Sequence, residues 1–230
     1  MTEYRVLDLF AGLGGFSAAF DESDRWDVTT VEIEERFDPD IQADVFDLRP
    51  SDFEGDFDLV VASPPCTQFS IAAEWNDHWD TDGEPQTQAA SDSIALVYHT
   101  IGLIRGLAPK YWFLENPRGH LRRFIDAPEA TVTYCQYGAE YMKPTDLWGN
   151  HPPLTYRRCS PGSDCHIRSR SRRGPGDDAP GKALPRDPAE RAKVPFELSA
   201  SIRDATEAAL DGDVPLQTTA ADWVAEEGES

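Results

Sequence analysis

The sequence predicts an α/β fold: a doubly wound, mostly parallel sheet with a small, irregular, arginine-rich appendage. Two observations predict the sheet. Short apolar runs alternate with stretches of helical periodicity from the N-terminus onward. The run Val60–Ala62 is also continuously apolar, which is typical of strands buried on both faces of a parallel sheet. A third observation, the clustering of arginine late in the chain, predicts the appendage.

The elements follow in chain order. Strands are predicted at YRVLDLF, WDVTTVEI, FDLVVAS and KYWFLEN, with a turn leading into a helix at AGLGGFSAAFDE. Apolar residues at helical spacing predict a helix at SIALVYHTIGLIRGL, and FELSASIRDATEAALDG predicts another that ends at Gly212. The polar stretch from Ala73 to Asp92 predicts a long loop, a candidate lid. We therefore expect a body over residues 1–150, an irregular basic segment over 151–195, and a helix with an acidic tail over 196–230.

Charge is strongly acidic overall but locally basic. The chain has 42 acidic and 21 basic residues, a net charge of -21, yet ten of the basic residues lie between His151 and Pro195. The acidic surplus resembles that of cytoplasmic proteins from salt-accumulating halophiles, where the Debye length falls to about 3 Å. Local charge then says more than net charge about partners, and the basic segment predicts an anion-facing surface.

The chain shows no signal for export or membrane insertion. Its opening, MTEYRVLDLF, lacks a basic stretch followed by an apolar run, and nowhere do 18 apolar residues occur in succession. Four cysteines in 230 residues do not suggest a disulfide scaffold. We expect a reduced, cytoplasmic protein without membrane contact.

Two strands are predicted to end in residues that can carry chemistry. Pro64 and Pro65 stop one strand and hold Cys66 just beyond its carboxyl end. Glu115 follows the aromatic run of a later strand, which Pro117 ends. In an open α/β sheet this edge binds ligands. A nucleophilic cysteine also needs an acid or electrophilic partner from another strand, so we interpret Cys66 and Glu115 as a pair.

A glycine-rich turn follows the first strand. Gly12, Gly14 and Gly15 lie between a strand and a helix, where the missing side chains let a ligand approach the backbone. Ser17 occupies the place of the third glycine of a dinucleotide fingerprint, which disfavours a pyrophosphate cofactor. Glu32 ends the second strand, where an acid typically binds ribose hydroxyls.

Five segments in this order resemble the cytosine-C5 DNA methyltransferases: DLFAGLGGFS, VEIEERFDPDIQADVFDL, SPPCTQFS, FLENPRG and TYCQYGAEYMKPTDLWGN. The resemblance implies a Rossmann-like methyltransferase fold over residues 1–150, with S-adenosylmethionine as cofactor. It implies cofactor contacts by Phe10, Gly12, Gly14, Gly15, Glu32, Asp44 and Pro64, with Glu32 holding the ribose and Asp44 the adenine amino group. Cys66, Glu115 and Lys143 are the implied catalytic residues. Lys143 is the cation near the place where the family has an arginine that contacts the cytosine carbonyl.

The resemblance also implies the reaction. Cys66 would add to C6 of a cytosine flipped out of the duplex, Glu115 would stabilise the developing charge, and C5 would then take the methyl group. DNA is the expected substrate and RNA cytosine an alternative. A cofactor-binding module that contacts nucleic acid without catalysis is a second alternative. Because only the basic segment is available for target recognition, either low sequence specificity or a recognition partner is expected.

The segment CSPGSDCH raises the question of a metal. Cys159, Cys165 and His166 offer three zinc ligands, but the sequence lacks a second convincing ligand pair. A polar loop with inert thiols is the preferred interpretation, and we expect no metal.

Overall fold

A computed structural model describes residues 3–70, 78–160, 163–166, 185 and 187–212. In this part of the chain seven strands form one sheet in the order β3-β2-β1-β4-β5-β7-β6. The strands are β1 (Tyr4–Leu9), β2 (Trp26–Glu32), β3 (Ile41–Gln42), β4 (Leu59–Ala62), β5 (Tyr111–Pro117), β6 (Ala130–Thr133) and β7 (Pro144–Trp148). All pairs from β3 to β5 are parallel, whereas β7 runs antiparallel to β5 and β6. The predicted mostly parallel sheet is confirmed.

Helices cover both faces of this sheet. They are α1 (Ala18–Asp21), α2 (Gln88–Leu107), α3 (Pro188–Ala192) and α4 (Phe196–Leu210). Successive residues of β4 face opposite sides: Val61 packs in a core with Leu198 of α4, and Val60 packs in a core with Leu103 of α2. Burial of β4 on both faces explains its unbroken apolar run and confirms the doubly wound arrangement. Among the described helices, none has the length and apolar character needed to span a bilayer.

Two boundaries differ from the predictions. The loop predicted over Ala73–Asp92 ends earlier, because α2 begins at Gln88 after the Thr87 side chain accepts a hydrogen bond from the Ala90 amide. Residues 71–77 of that loop lie outside the described residues. In the segment predicted to be irregular, Asp187 caps the short helix α3, whose first residue is a proline.

Other elements were not predicted or lie outside the described residues. No strand was predicted at the positions of β3, β6 and β7. Strand β3 has only two residues, whereas β6 ends at the first residue of, and β7 lies within, a segment that was interpreted only as a family motif. Helix α4 ends at Leu210, close to the predicted Gly212. The acidic tail after residue 212 and most of the arginine cluster, residues 167–184, lie outside the described residues.

Strand register gathers the predicted functional residues at one edge. Leu9 pairs with Val31 on one side and with Ala62 on the other, and Ala62 pairs with Leu114. The residues that follow each of these positions therefore emerge side by side at the carboxyl edge of the parallel strands.

Candidate active site

A cavity of about 1300 Å³ opens at this edge. Of the residues predicted for the site, its walls include Phe10, Gly12, Gly15, Glu32, Asp44, Cys66 and Lys143. Gly14, Pro64 and Glu115 are not part of the lining, although residues one or two positions away from each of them along the chain are. The cavity thus joins the glycine loop after β1 to the segments that follow β4 and β5. Its two parts are called the cofactor end and the catalytic end below.

The loop after β1 forms the floor of the cofactor end. Phe10, Gly12 and Gly14 all have positive φ, at 65°, 51° and 67°. For Phe10 this conformation is uncommon, and it turns the chain sharply away from the strand. A Cβ atom built on Gly12 or Gly14 would meet nothing within 4 Å. The loop therefore leaves open space against its backbone, as a bound cofactor requires.

Gly15 is required for a different reason from the one the sequence suggests. A Cβ atom there would lie 2.7 Å from the backbone nitrogen and 2.8 Å from the backbone oxygen of Val194. These backbone atoms cannot move aside easily, so the segment before α4 can pack on the loop only because residue 15 lacks a side chain. The missing side chain at Gly15 thus lets the C-terminal segment pack beside the cavity, and Gly15 itself also lines the cavity.

Glu32 is held in place by backbone donors. Its Oε2 accepts a hydrogen bond from the Gly12 amide at 3.0 Å, and its Oε1 accepts from the Ile33 amide at 2.9 Å and the Glu34 amide at 3.2 Å. Because a carboxylate can accept about four hydrogen bonds, capacity remains for a ligand hydroxyl. Glu32 links the loop after β1 to the end of β2 at the position expected for ribose binding.

Two apolar side chains at the cofactor end were missed by sequence reasoning. Ile33 is 57% exposed and Phe46 is 43% exposed, although both lie in the cavity wall. Asp44 caps the turn that carries Phe46, accepting a hydrogen bond from the Phe46 amide at 2.9 Å. Exposed apolar groups beside a carboxylate suit a ligand with a flat apolar ring and a polar edge.

Asp8 is a buried acid beneath the glycine loop. Its Oδ2 accepts a hydrogen bond from the Ser17 amide at 3.2 Å, while its Oδ1 has no hydrogen-bond partner. Burial raises the pKa of Asp8 to about 7, although the hydrogen bonds from Ser17 oppose the rise. A carboxyl group that would lose its proton near neutral pH therefore lies under the loop.

Cys66 lies in a turn after β4 and is partly buried. Its carbonyl accepts hydrogen bonds from the Phe69 and Ser70 amides, which fixes the turn. Burial raises the pKa of the Cys66 thiol; the positive charge of Lys143 opposes the rise and the negative charge of Glu115 adds to it. The thiol at the predicted nucleophile position is therefore under the influence of both other predicted catalytic groups.

Glu115 is the centre of a buried polar network at the catalytic end. Its side chain is 4% exposed, and its Oε1 accepts a hydrogen bond from the Tyr134 hydroxyl at 2.8 Å. The Lys143 Nζ lies 3.6 Å from the same oxygen and 3.4 Å from the Tyr134 hydroxyl, with the lysine side chain 14% exposed. Desolvation by burial and the charge of Glu115 raise the pKa of Tyr134, so its hydroxyl stays protonated and donates.

A side-chain hydrogen bond ties the Cys66 segment to the Glu115 segment. The Asn116 Nδ2 donates to the Pro64 carbonyl at 2.9 Å, and both residues are buried. Pro64, predicted as a cofactor contact, accepts this bond just ahead of the turn that carries Cys66. Asn116 is therefore a positioning residue that sequence reasoning missed.

Positive charge is present on the cavity wall despite the acidic composition. The lining cations are Arg36, Arg118, Lys143, Arg158, Arg191 and Lys193. Three of them, Arg158, Arg191 and Lys193, come from the segment predicted to face an anion. The described part of that segment therefore contributes cations to the cavity wall, as expected for a surface that meets phosphates.

Comparison with known proteins identifies related chains. The family model for C-5 cytosine-specific DNA methylases matches residues 4–123. A probable DNA (cytosine-5)-methyltransferase of frog virus 3 is 30% identical over 172 residues, which are 70% of this chain and 77% of that protein. The type II methyltransferase M.HaeII of Haemophilus aegyptius is 32% identical over 124 residues, but the match spans 50% of this chain and 35% of that enzyme.

Solved structures give a weaker likeness. A putative DNA modification methyltransferase encoded within a prophage of E. coli is 19% identical, with a TM-score of 0.46 over 64% of this chain and 46% of that one. The matched part of the bacterial enzyme M.HaeII is likewise well short of its full length.

Proposed function

Because this chain belongs to the C-5 cytosine-specific DNA methylase family, we propose that it transfers a methyl group from S-adenosylmethionine to C5 of cytosine in DNA. The observation that carries the proposal is the convergence of Cys66, Glu115 and Lys143 around one end of a cavity whose other end is bounded by the glycine loop. The three groups differ in chemistry, and each matches one requirement of this reaction.

The cofactor end fits S-adenosylmethionine. Glu32 offers a fixed carboxylate for ribose hydroxyls, and Asp44 stands beside the exposed Ile33 and Phe46, where an adenine ring would find apolar faces and an acceptor. The open backbone of the glycine loop gives space for the remainder of the molecule. When bound, the cofactor supplies an electrophilic methyl group on a sulfonium sulfur.

Cys66 supplies the nucleophile that cytosine C5 needs. Ring carbon C5 is a poor nucleophile until a thiolate adds at C6 and places electron density on C5. Since burial raises the pKa of the thiol, the nearby charge of Lys143 has a function: it favours the thiolate form against burial. After methyl transfer, loss of the C5 proton expels the Cys66 thiolate and restores the aromatic ring.

Glu115 and Lys143 stabilise charge on the ring. Addition at C6 builds negative charge at N3 and the carbonyl oxygen, and a buried carboxyl group that holds a proton at N3 neutralises it. The Tyr134 hydroxyl fixes the orientation of Glu115, and Lys143 lies close enough to balance the carboxylate when the proton is away. We place the Lys143 ammonium beside the cytosine carbonyl. The target base must leave the duplex to reach these groups.

The decisive experiment follows labelled methyl transfer to duplex DNA. The parent protein and Cys66→Ala are incubated with labelled S-adenosylmethionine in molar potassium chloride, and the DNA is digested to nucleosides. We expect 5-methylcytosine from the parent and none from Cys66→Ala. Methylation by Cys66→Ala, or cofactor binding by the parent without methylation of DNA, would contradict the proposal. Single-stranded RNA in parallel identifies the alternative substrate.

A second DNA substrate tests the covalent step. When fluorine replaces hydrogen at C5 of cytosine, the final elimination is blocked, so the adduct through Cys66 should accumulate as a denaturant-stable protein–DNA complex. We expect this complex with the parent and not with Cys66→Ala. A stable complex in the Cys66→Ala variant would show that a different side chain attacks C6.

A further inference from the structure

Four metal-binding side chains converge beside the catalytic end, at a place where the sequence suggested no metal. This cysteine–histidine cluster consists of Cys135, Cys159, Cys165 and His166, whose ligand atoms all lie within 4.8 Å of one another. Sequence reasoning grouped three of them and treated Cys135 only as part of the TYCQYG segment. Residue 135 is the fourth ligand that was missing, and it comes from 24 residues earlier in the chain.

Four of the six distances between ligand atoms lie within about 0.6 Å of the edges of a tetrahedral zinc site. The Cys135 Sγ lies 3.2 Å from the Cys159 Sγ and 3.7 Å from the Cys165 Sγ. The His166 Nδ1 lies 3.4 Å from the Cys165 Sγ and 3.9 Å from the Cys159 Sγ. A tetrahedron with Zn–S bonds of about 2.3 Å and a Zn–N bond of about 2.0 Å has edges of about 3.8 Å between sulfurs and about 3.5 Å between sulfur and nitrogen.

Backbone contacts bring the ligands together from three segments. Cys135 belongs to the turn directly after β6. The Thr133 amide donates to the Arg157 carbonyl at 3.1 Å, and the Cys159 amide donates to the Thr133 Oγ1 at 2.7 Å, so the later segment runs beside the end of β6. The Ser163 amide and the Ser163 hydroxyl both donate hydrogen bonds to the Ser160 carbonyl. This turn brings Cys165 and His166 next to the other two ligands.

We propose that the cysteine–histidine cluster binds one structural Zn²⁺ ion. Three thiolates and an imidazole make a closed tetrahedral set without a position for substrate, which is the pattern of a structural site. Binding converts three thiols to thiolates and releases their protons to solvent, with no change of oxidation state. Cys66, the fourth cysteine of the chain, stays outside this site and remains available at the cavity.

The ion would join the basic segment to the catalytic end. Cys135 directly follows Tyr134, whose hydroxyl bonds to Glu115, while Cys159 directly follows Arg158 of the cavity wall. One metal ion therefore fixes both the turn that orients Glu115 and the start of the segment that supplies cations.

Metal analysis of the whole protein tests the proposal without using methylation. The parent chain is purified under reducing conditions without added metal, and zinc is measured by mass spectrometry against protein concentration. We expect about one zinc per chain. Replacement of the zinc ion by Co²⁺ should give the intense visible absorption of a tetrahedral site together with thiolate-to-cobalt charge-transfer bands. The matched control Cys66→Ser should keep both signals unchanged.

Single ligand variants show which side chains hold the ion. Cys165 is exposed, so Cys165→Ser should fold, as circular dichroism will show, yet lose most of its zinc and its charge-transfer intensity. Cys159→Ser should do the same, and His166→Asn should keep the thiolate bands but bind Co²⁺ at least tenfold more weakly. Folded parent protein that carries no zinc and gives no tetrahedral Co²⁺ spectrum overturns the proposal. A Cys135–Cys159 disulfide in anaerobically purified protein overturns it as well.

Discussion

The two ends of the cavity differ in how far they exclude water. At the catalytic end the side chains of Glu115 and Lys143 are 4% and 14% exposed and contact each other or Tyr134. At the cofactor end Ile33 and Phe46 are 57% and 43% exposed, and the principal polar groups are a carboxylate and backbone amides. One end is a closed network of charged groups, whereas the other is an open groove.

Under the proposed function, this difference suits what each end would do. Charge that develops on a base is stabilised strongly only by groups already fixed in a dry environment, so the catalytic end keeps its polar groups buried and paired. A cofactor that enters and leaves each cycle needs an accessible groove whose apolar surface it can cover. Substitutions at the catalytic end should therefore change the rate of the chemical step, and those at the cofactor end should change affinity.

Glu115→Gln should have the largest effect. A glutamine keeps the shape and can still accept the Tyr134 hydrogen bond, but it cannot hold an exchangeable proton at N3 of the base. We expect single-turnover methyl transfer to slow by about 10²–10⁴-fold with little change in cofactor affinity. Glu129→Gln, which alters an exposed acid that accepts a hydrogen bond from the Gly149 amide, is the control and should methylate normally. Equal losses in both variants would assign Glu115 a structural role.

Asp8→Asn should change stability rather than rate. Because burial raises the pKa of Asp8 to about 7, the folded chain retains a proton that the unfolded chain releases near pH 4. The parent therefore loses stability as pH rises from about 4 to 7, by up to about 1.4 kcal/mol per pH unit, and an asparagine removes that loss.

Urea unfolding at several pH values measures the free energy of unfolding of Asp8→Asn and of the parent. The advantage of Asp8→Asn over the parent should be small near pH 4, grow towards pH 7 and then stay constant at on the order of 4 kcal/mol. The exposed Asp24→Asn serves as the comparison and should show no such growth. An advantage independent of pH would mean that Asp8 is ionised throughout.

Lys143→Met should weaken the nucleophile. Removing the positive charge leaves burial and Glu115 to raise the pKa of Cys66 further, so less thiolate is present at a given pH. The rate of Cys66 alkylation by iodoacetamide, plotted against pH, should shift to higher pH, and methyl transfer near pH 8 should fall by about 10-fold to 100-fold. Lys110→Met removes a lysine at the far end of β5 and should leave the profile in place. An unshifted profile in Lys143→Met would contradict the electrostatic role.

The sequence predicted the catalytic end better than the surroundings of that end. Cys66 follows an apolar strand and Glu115 lies close to the end of another, prolines end both strands, and a parallel sheet brings such positions to one edge whatever the details of packing. Tyr134 and Asn116 could not be found this way, because their roles depend on side-chain directions in strands and turns far apart in the chain. Cys135 was missed for the same reason: its partners come from a later segment without periodicity.

Glu32→Gln should affect the cofactor end alone. The single side-chain oxygen of a glutamine can accept a hydrogen bond from the Gly12 amide or from the Ile33 amide, but it cannot replace both carboxylate oxygens. A glutamine also binds ribose hydroxyls less strongly than a carboxylate does. We expect the Kd for S-adenosylmethionine to rise by about 10-fold, a cost of about 1.4 kcal/mol, with the rate at saturating cofactor nearly unchanged. Isothermal titration alongside the exposed Glu35→Gln provides the measurement. A large loss of rate at saturation would mean that the two ends are not separable.

Tyr134→Phe should give the smallest effect and test whether the buried network acts as a unit. The substitution removes one hydrogen bond to Glu115 while Lys143 remains 3.6 Å away, so the carboxyl group keeps its charge partner but loses one constraint on its orientation. A neutral donor to a charged group contributes about 1.5 kcal/mol, which predicts a roughly 10-fold or smaller drop in single-turnover rate.

Tyr137→Phe is the matched control, because the Tyr137 hydroxyl is bonded to the Thr155 carbonyl and the Arg157 amide rather than to Glu115. That variant should lower the melting temperature without slowing methyl transfer in the folded protein. If both variants lose rate equally, the turn after β6 acts through its overall packing, and the orientation of Glu115 depends on more than the Tyr134 hydroxyl.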